Sequence, residues 1–393
     1  MKINVGVIFG GRSVENEISV ITAVQTMSAM DADKYNIIPI YISKQGHWYT
    51  GDKLRSTDNY RDMKRLLSEV EEVYLRPIYG DNRLYRVRKP LLGSDVAATI
   101  DVILPALHGT SGEDGAFQGT IEFTGIPYAC PNPLASANGM DKITMKMILS
   151  ADGIPVVDYV WFTDKQWFAR RDELIGKVEE KLGYPVIVKP ANLGSSVGIG
   201  RADNREQLME RVDDARRYSA RIIVEDLVEN LQEINCSVLG DCDEYETSVL
   251  EEPIKSGEIL SYTDKYMGGS KDNRGMHASK KRIPADLPAD ETERIRFLAG
   301  ETFRVLSCHG VSRVDVMIDA KTRQIYVNEI NTIPGSLSFY LWEAAGIKFD
   351  ELMDRLVRLA LKRKRDQASK TVSYDSNIFA LGGGVKGAKG AKA

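Results

Sequence analysis

The chain has 393 residues, 43% of them hydrophobic and 27% charged, with a formal net charge of −4. This is soluble globular composition, with length for two or three domains. There is no cationic excess to draw nucleic acid or an anionic membrane, and no apolar run approaches the roughly 20 residues that a membrane span requires.

In chain order, "INVGVIFG" (3–10) reads as a strand buried on both faces. It runs straight into Gly10-Gly11 without a small-x-small cleavage site, so it does not read as a secretory leader. "RSVENEISVITAVQTM" follows as a helix, with Val14, Ile18, Ile21 and Val24 at helical spacing and acidic residues in its first turn. "YNIIPIYIS" (35–43) and "DVILPALHG" (101–109) are further strands. Strand, glycines, helix and strand in succession predict a doubly wound α/β domain, whose ligands sit beyond the carboxyl ends of the strands. Glu15 and His108 fall there.

From about residue 134 the texture changes. "MDKITMKMILSADG" (140–153) is an amphipathic helix, "GYPVIVKP" a strand, "EQLMERVDDARRY" a helix, and "ARIIVEDLV", "EINCSVLG" and "EYETSVL" strands. This block suits a small antiparallel sheet with covering helices. Residues 263–282, polar and rich in Gly and Lys, predict a long loop of the kind that forms lids. A helix (288–307), a strand pair (311–318 and 324–331) and a terminal helix, "FDELMDRLVRLALKRK", come next. The low-complexity "GGGVKGAKGAKA" closes the chain as a tail. Cys130, Cys236, Cys242 and Cys308 form no C-x-x-C pair and read as reduced thiols of a cytoplasmic protein.

Four groups of residues carry the candidate chemistry. "VIVKPANLGSSVGIG" (186–200) matches neither G-x-x-x-x-G-K-[ST] nor G-x-G-x-x-G. It is either a hairpin turn with a solvated lysine or a loop whose amides and hydroxyls, at Gly194, Ser195 and Ser196, close over an anion beside Lys189. In the predicted hairpin of 312–319 and 324–331, strand alternation puts Arg313, Asp315 and Met317 on one face. Ile325, Val327, Glu329 and Asn331 share a face of its partner. Either these side chains form a solvent-facing polar rim, or they are buried and only a ligand compensates them, since burying such charges unpaired would cost several kcal/mol; carboxylate and amide oxygens of that kind suit Mg²⁺. "IIVEDLV" followed by Glu233 is either an ordinary strand end or a hinge that holds a base on its backbone and a ribose on its carboxylate. Lys142, Lys189 and Lys265 together suit a triphosphate. The four histidines lack zinc spacing. His108 ends a strand, and His277 falls in the predicted lid.

The strings "FGGRSVENEIS", "ALHGTSGEDGAFQG", "MDKITMK", "VIVKPANLGSSVG", "VEDLV…QEINCSVLG", "DKY", "SRVDVMID" and "NEINTIPG" together closely resemble the D-alanine–D-alanine ligase family of ATP-grasp enzymes, from residue 3 to about 345. The resemblance implies an N-terminal doubly wound substrate-binding domain (1–133), then a two-lobed ATP-grasp α+β fold. Its central lobe is 134–226 and its C-terminal lobe 227–372, with a mobile loop at 263–282 and a tail at 373–393. It implies a cytoplasmic, commonly homodimeric enzyme that joins two D-alanines, using ATP and two Mg²⁺ (or Mn²⁺), for peptidoglycan precursors.

By position, the resemblance gives Lys142, Lys189, Ser196 and Lys265 to the ATP phosphates, Glu225 and the Leu227 backbone to adenine, and Glu233 to the ribose. It gives Asp315, Glu329 and Asn331 to the metal ions, and Glu15 to the ammonium of the first D-amino acid. Ser195 and Tyr266 connect to Glu15, His108 lines the substrate site, and Arg313 with the Gly335 N–H faces the reacting carboxylate oxygen. After "NTIPG" this chain reads "SLSFYLWE", departing from the family's serine–apolar–proline pattern; Ser338 takes the serine's place at the second substrate's carboxylate. The basic lid and Asn16, where many relatives carry histidine, are further departures. Rival readings are a D-alanine–D-serine or D-alanine–D-lactate ligase of vancomycin-resistance type, with His277 bearing on that choice, and a non-catalytic nucleotide-binding protein. A dehydrogenase lacks its fingerprint here, since "GGRSVE" has the wrong spacing.

Overall fold

A computed structural model describes residues 2–194, 197–254 and 281–373. The first sheet is built on β1 (Ile3–Gly10), which pairs in parallel with β2 (Tyr35–Ile42) and with the later strand Val102–Leu107. Between β1 and β2 runs α1 (Asn16–Ala29). Past β2 come β3 (Trp48–Thr50), α2 (Met63–Ser68), β4 (Glu71–Leu75), β5 (Arg83–Arg86), β6 (Val96–Thr99) and β7 (Val102–Leu107). The order is β6-β5-β4-β3-β2-β1-β7. The parallel core is therefore three strands wide, and an antiparallel meander extends one edge. The near-continuous apolar character of β1 and β7 follows from burial on both faces, with Val5, Val7, Ile8, Val102, Ile103 and Leu104 fully buried.

α3 (Ala116–Glu122) and α4 (Pro133–Met140) lead to α5 (Lys142–Ala151). Asn132 caps α4, with Pro133 at its first position, and Asp141 caps α5 by accepting from the Thr144 N–H. The second sheet holds β8 (Tyr159–Thr163), β9 (Val186–Pro190), β10 (Gly200–Ala202) and β11 (Arg221–Asp226), all antiparallel in the order β10-β9-β11-β8. Two helices cover it. α6 (Asp164–Lys181) starts in a capping box of Thr163 and Gln166, and α7 (Arg205–Ala215) is capped by Asn204.

The third sheet comprises β12 (Leu231–Gly240), β13 (Tyr245–Pro253), β14 (Lys281–Arg282), β15 (Gly310–Asp319) and β16 (Ile325–Asn331), antiparallel in the order β14-β13-β12-β15-β16. Lys281 and Arg282, counted in the loop by sequence, pair with Pro253 and Glu252. The rest of that loop, with Lys265, Tyr266 and His277, lies outside the described residues, as do Ser195, Ser196 and the tail from 374. Helix Ala289–Val305 packs on this sheet, as do Met145 and Leu149 of α5.

The terminal helix Phe349–Ala368 follows the third sheet in sequence but buries its apolar face in the first core, through Leu352, Met353, Leu356 and Val357. Polar contacts match: Tyr35 donates to Asp354 at 2.7 Å, and Arg363 pairs with Glu122 at 2.7 Å. Leu356→Ala, at a fully buried position, is expected to destabilise the protein by about 2–5 kcal/mol. Urea unfolding followed by circular dichroism measures this; an unchanged midpoint would contradict the shared core.

Candidate functional site

The site lies where the three sheets meet. From the first domain, Glu15 stands at the start of α1, buried, its N–H donating to Ser13 Oγ at 3.0 Å. Two glycines make room for its carboxylate. A Cβ on Gly109, where φ is +71°, would lie 2.5 Å from Glu15 Oε2, and one on Gly194 would lie 3.3 Å away. Glu15 is thus wedged between the loop after β7 and the glycine loop after β9, directly before Ser195.

From the second sheet come the cations. Lys189 Nζ sits 2.5 Å from Glu225 Oε2 and 3.3 Å from Asn328 Oδ1. Lys142, in the first turn of α5, donates to the Leu193 carbonyl at 3.0 Å and pairs with Glu329 at 3.0 Å. Burial works against the Lys142 charge, but Glu329 outweighs it and holds its pKa above the ordinary lysine value. A third lysine, Lys146, was missed by the sequence reading. It lies one turn along α5 from Lys142, fully buried, 3.2 Å from Glu225 Oε1. Burial would raise the Glu225 pKa; Lys146 and then Lys189 overcome this and keep it below the usual carboxylate range. Burial lowers the Lys146 pKa, with Glu225 opposing. Leu227 follows the end of β11, at the crossing to the third sheet, and Glu233 lies on β12 opposite Met317.

From the third sheet come the oxygen-bearing side chains. Arg313 grips Asp315 with two hydrogen bonds, 2.6 and 2.8 Å, and Asn331 Nδ2 donates to Asp315 Oδ2 at 3.1 Å. Burial disfavours the guanidinium charge, yet Asp315 holds the Arg313 pKa well above its ordinary value. The cluster therefore neutralises itself through Arg313–Asp315 and Lys142–Glu329, which corrects the expectation that only a ligand could compensate it. Strict alternation along β16 also fails. Asp315 pairs with Glu329, but Val316 pairs with Val327, so a bulge at Asn328 breaks the period. Val327 turns into the core, fully buried, while Glu329 and Asn331 keep the site face and Asn328 reaches Lys189.

Beyond β16, residues Ile333–Ser338 are held from the first domain. His108 is buried and uses both ring nitrogens. Nδ1 faces the Ile333 carbonyl at 2.8 Å and so must carry the proton; Nε2 then accepts from the Thr22 hydroxyl at 2.8 Å. Thr22 Oγ in turn accepts the Ser336 N–H at 3.0 Å. Glu113, also missed, accepts the Gly109 N–H on one oxygen and the Ile333 N–H on the other, both at 2.9 Å. Burial and then Glu15 push its pKa up to about 8, against those two donors. His108 thus clamps the loop that carries Gly335, with both nitrogens committed to the protein. Ser336, Leu337 and Ser338 all have φ near +50°, and Ser338 Oγ is buried with no hydrogen-bond partner among the described residues.

Among the described residues no group of three or more His, Cys, Asp or Glu is placed to hold a metal. Asp315, Glu329 and Asn331 instead offer two carboxylates and an amide from neighbouring strands. That all-oxygen set fits Mg²⁺, which takes few protein ligands and completes its shell with water and phosphate.

The family models agree with this architecture. The model for the D-ala D-ala ligase C-terminus matches residues 148–358, and that for the N-terminus matches residues 4–131. The chain belongs to the D-alanine–D-alanine ligase family. It is 38% identical to a D-alanine–D-alanine ligase of Thermosipho melanesiensis over 381 residues, 96% of this chain and 99% of that one. Among solved structures, the VanG D-Ala:D-Ser ligase of Enterococcus faecalis superposes with a TM-score of 0.77 at 29% identity, covering 92% of this chain and all of that one. The ATP complex of the Bacillus anthracis D-alanine–D-alanine ligase gives 0.64 at 25%, over 93% and 99%. Among the described residues no helix is long and apolar enough to cross a membrane.

Burial holds the His108 pKa at about 4, against an ordinary 6.5, with the Ile333 hydrogen bond opposing and Arg313 assisting. Between those values the unfolded chain of this ligase takes up a proton that the folded one refuses. Stability contributed by His108 is therefore present above pH 6.5 and lost as pH falls toward 4, by about 3 kcal/mol at full extent. His108→Gln should melt lower than wild type at pH 7 but lose less on acidification to pH 4.5. Parallel thermal melts at the two pH values check this; equal losses would contradict it.

Proposed function

We propose that this protein joins two D-alanines into D-alanyl-D-alanine, using ATP and an acyl phosphate, for peptidoglycan precursor synthesis in the cytoplasm. The observation that carries the reading is a set of three polar clusters on adjoining strands in a chain of this family. Lys146, Glu225 and Lys189 reach Asn328; Lys142 pairs with Glu329; and Arg313 and Asn331 hold Asp315, whose strand position lies opposite Glu329. Glu225 and the Leu227 backbone hold adenine, Glu233 takes the ribose, and Lys142 and Lys189 take the phosphates, with Ser196 and Lys265 closing over them. Asp315, Glu329 and Asn331 hold two Mg²⁺, which neutralise phosphoryl charge when bound.

Glu15, backed by Ser195 and Tyr266, anchors the first D-alanine's ammonium. Its carboxylate, a poor electrophile, gains a leaving group by taking the γ-phosphoryl. The second D-alanine's amine attacks, and Arg313 with the Gly335 N–H stabilises the oxyanion. Ser338, whose buried hydroxyl lacks a hydrogen-bond partner among the described residues, receives the second substrate's carboxylate. The loop read as 263–282 supplies the lid that keeps water from the acyl phosphate. A homodimer is the proposed assembly.

D-Serine as second substrate is the alternative, since VanG shares the fold at a TM-score of 0.77. D-Alanine is favoured by the higher identity, 38% over nearly the whole chain, to a D-alanine–D-alanine ligase. Mass spectrometry of products from mixed D-alanine, D-serine and D-lactate should give D-alanyl-D-alanine as the main species; a mixed depsipeptide or D-Ala-D-Ser would reassign the second site. Phosphate release that ignores D-alanine would sink the enzyme reading altogether. Arg313→Ala should lower kcat about 10²–10³-fold while the KM for ATP moves far less; comparable changes in both would remove Arg313 from the chemical step.

A further inference from the structure

Two lysines share one buried carboxylate. Glu225 is 1% exposed; Lys146 lies 3.2 Å from its Oε1 and Lys189 2.5 Å from its Oε2. The two lysines differ in what surrounds them. Lys189 also touches Asn328 of the third sheet, so it stands on the cleft wall. Lys146 is 0% exposed, on the inner side of α5, and reaches no other carboxylate among the described residues. Its contact with Glu225 lacks hydrogen-bond geometry, so charge is what the pair exchanges. One cation is placed to leave, and the other has nowhere to go.

We propose that Lys146 is the permanent counter-ion of Glu225, a positioning residue that frees Lys189 to leave the carboxylate for the phosphates of the bound nucleotide. The inference rests on the nucleotide site proposed above. A buried carboxylate stripped of its only cation costs several kcal/mol. Without Lys146, Lys189 could not turn to a phosphate except at that cost, and would stay on Glu225. With Lys146 in place, departure of Lys189 leaves a neutral buried pair. The same logic explains the spacing of "DKITMK": Lys142 and Lys146 are four apart, so one helix face presents a cation to the cleft and a second to the carboxylate behind it.

The test compares Lys146→Met, Glu225→Gln and the double variant, each checked by thermal melting. Ligands are the β,γ-imido analogue of ATP with Mg²⁺, and adenosine alone, titrated by calorimetry. Lys146→Met should weaken the triphosphate analogue on the order of tenfold or more, while adenosine stays within about threefold, because only the phosphate-directed lysine is detained. In the double variant the carboxylate charge is gone, so analogue binding should return to that of Glu225→Gln. A merely structural lysine would weaken both ligands alike, in step with the melting temperature, and the double variant would be no better than Lys146→Met. Either result overturns the proposal, as does unchanged analogue binding in Lys146→Met. If wild type itself binds no analogue, it is the nucleotide site that fails.

Discussion

The hydrogen bonds from His108 and Glu113 to Ile333 hold the site in register. Ile333 gives its carbonyl to one and its N–H to the other, so a single residue of the third sheet's exit is fixed by the loop after β7. Thr22 extends the hold to Ser336. Residues 336–338 adopt a left-handed conformation without a glycine among them, which costs of order 1 kcal/mol or more per residue. Such a turn persists only when its surroundings over-determine it, and here a helix and a strand end of another domain do so. The segment that contains Gly335 is therefore held on either side, at Ile333 and Ser336, by residues of the first domain. Neutral His108 suits this task, because each ring nitrogen faces a group of the opposite kind.

The second constraint is charge. The cleft gathers lysines, an arginine and carboxylates in a region of low exposure, and each is matched: Arg313 with Asp315, Lys142 with Glu329, Lys189 and Lys146 with Glu225. Pairing lets the protein fold without its ligands. It also leaves one more cation than carboxylates among these residues, the right sign for a polyanion. Two of the three lysines reach across to neighbouring loops or sheets, so the pairs tie the lobes together as well as storing charge.

Much of this was legible in the sequence because hydrophobic periodicity and short motifs are local. β1, β2, β7, β9, β11, the pair β15–β16 and the terminal helix stand close to where apolar runs and glycines put them. What was hidden depends on tertiary contact. The bulge at Asn328 inverts Val327 with no Gly or Pro to announce it. Lys146 reads as one face of an amphipathic helix until Glu225 is seen against it. Glu113 lies within "ALHGTSGEDGAFQG", where its place four residues after Gly109 was the available hint of a carboxylate folding back on a backbone amide. The terminal helix has an obvious apolar face, but nothing in its own residues says which core receives it.

Pre-paired charges also constrain how the ligands must bind. Each phosphate or cation that enters has to replace a partner already present, so its net contribution is the difference between two ion pairs rather than the whole of one. On the proposed reading, a metal held at Asp315 would compete with Arg313, and one held at Glu329 would compete with Lys142. Displacing both cations would turn them toward the incoming anions: Arg313 toward the substrate carboxylate, Lys142 toward phosphate. The site's basic and acidic groups are therefore coupled in their occupancy. A metal on the carboxylates would make the cations available, and a nucleotide on the cations would make the carboxylates available. A cleft wired this way would favour the fully loaded state over either half-loaded one, which suits the acyl-phosphate route proposed above, where water must stay out.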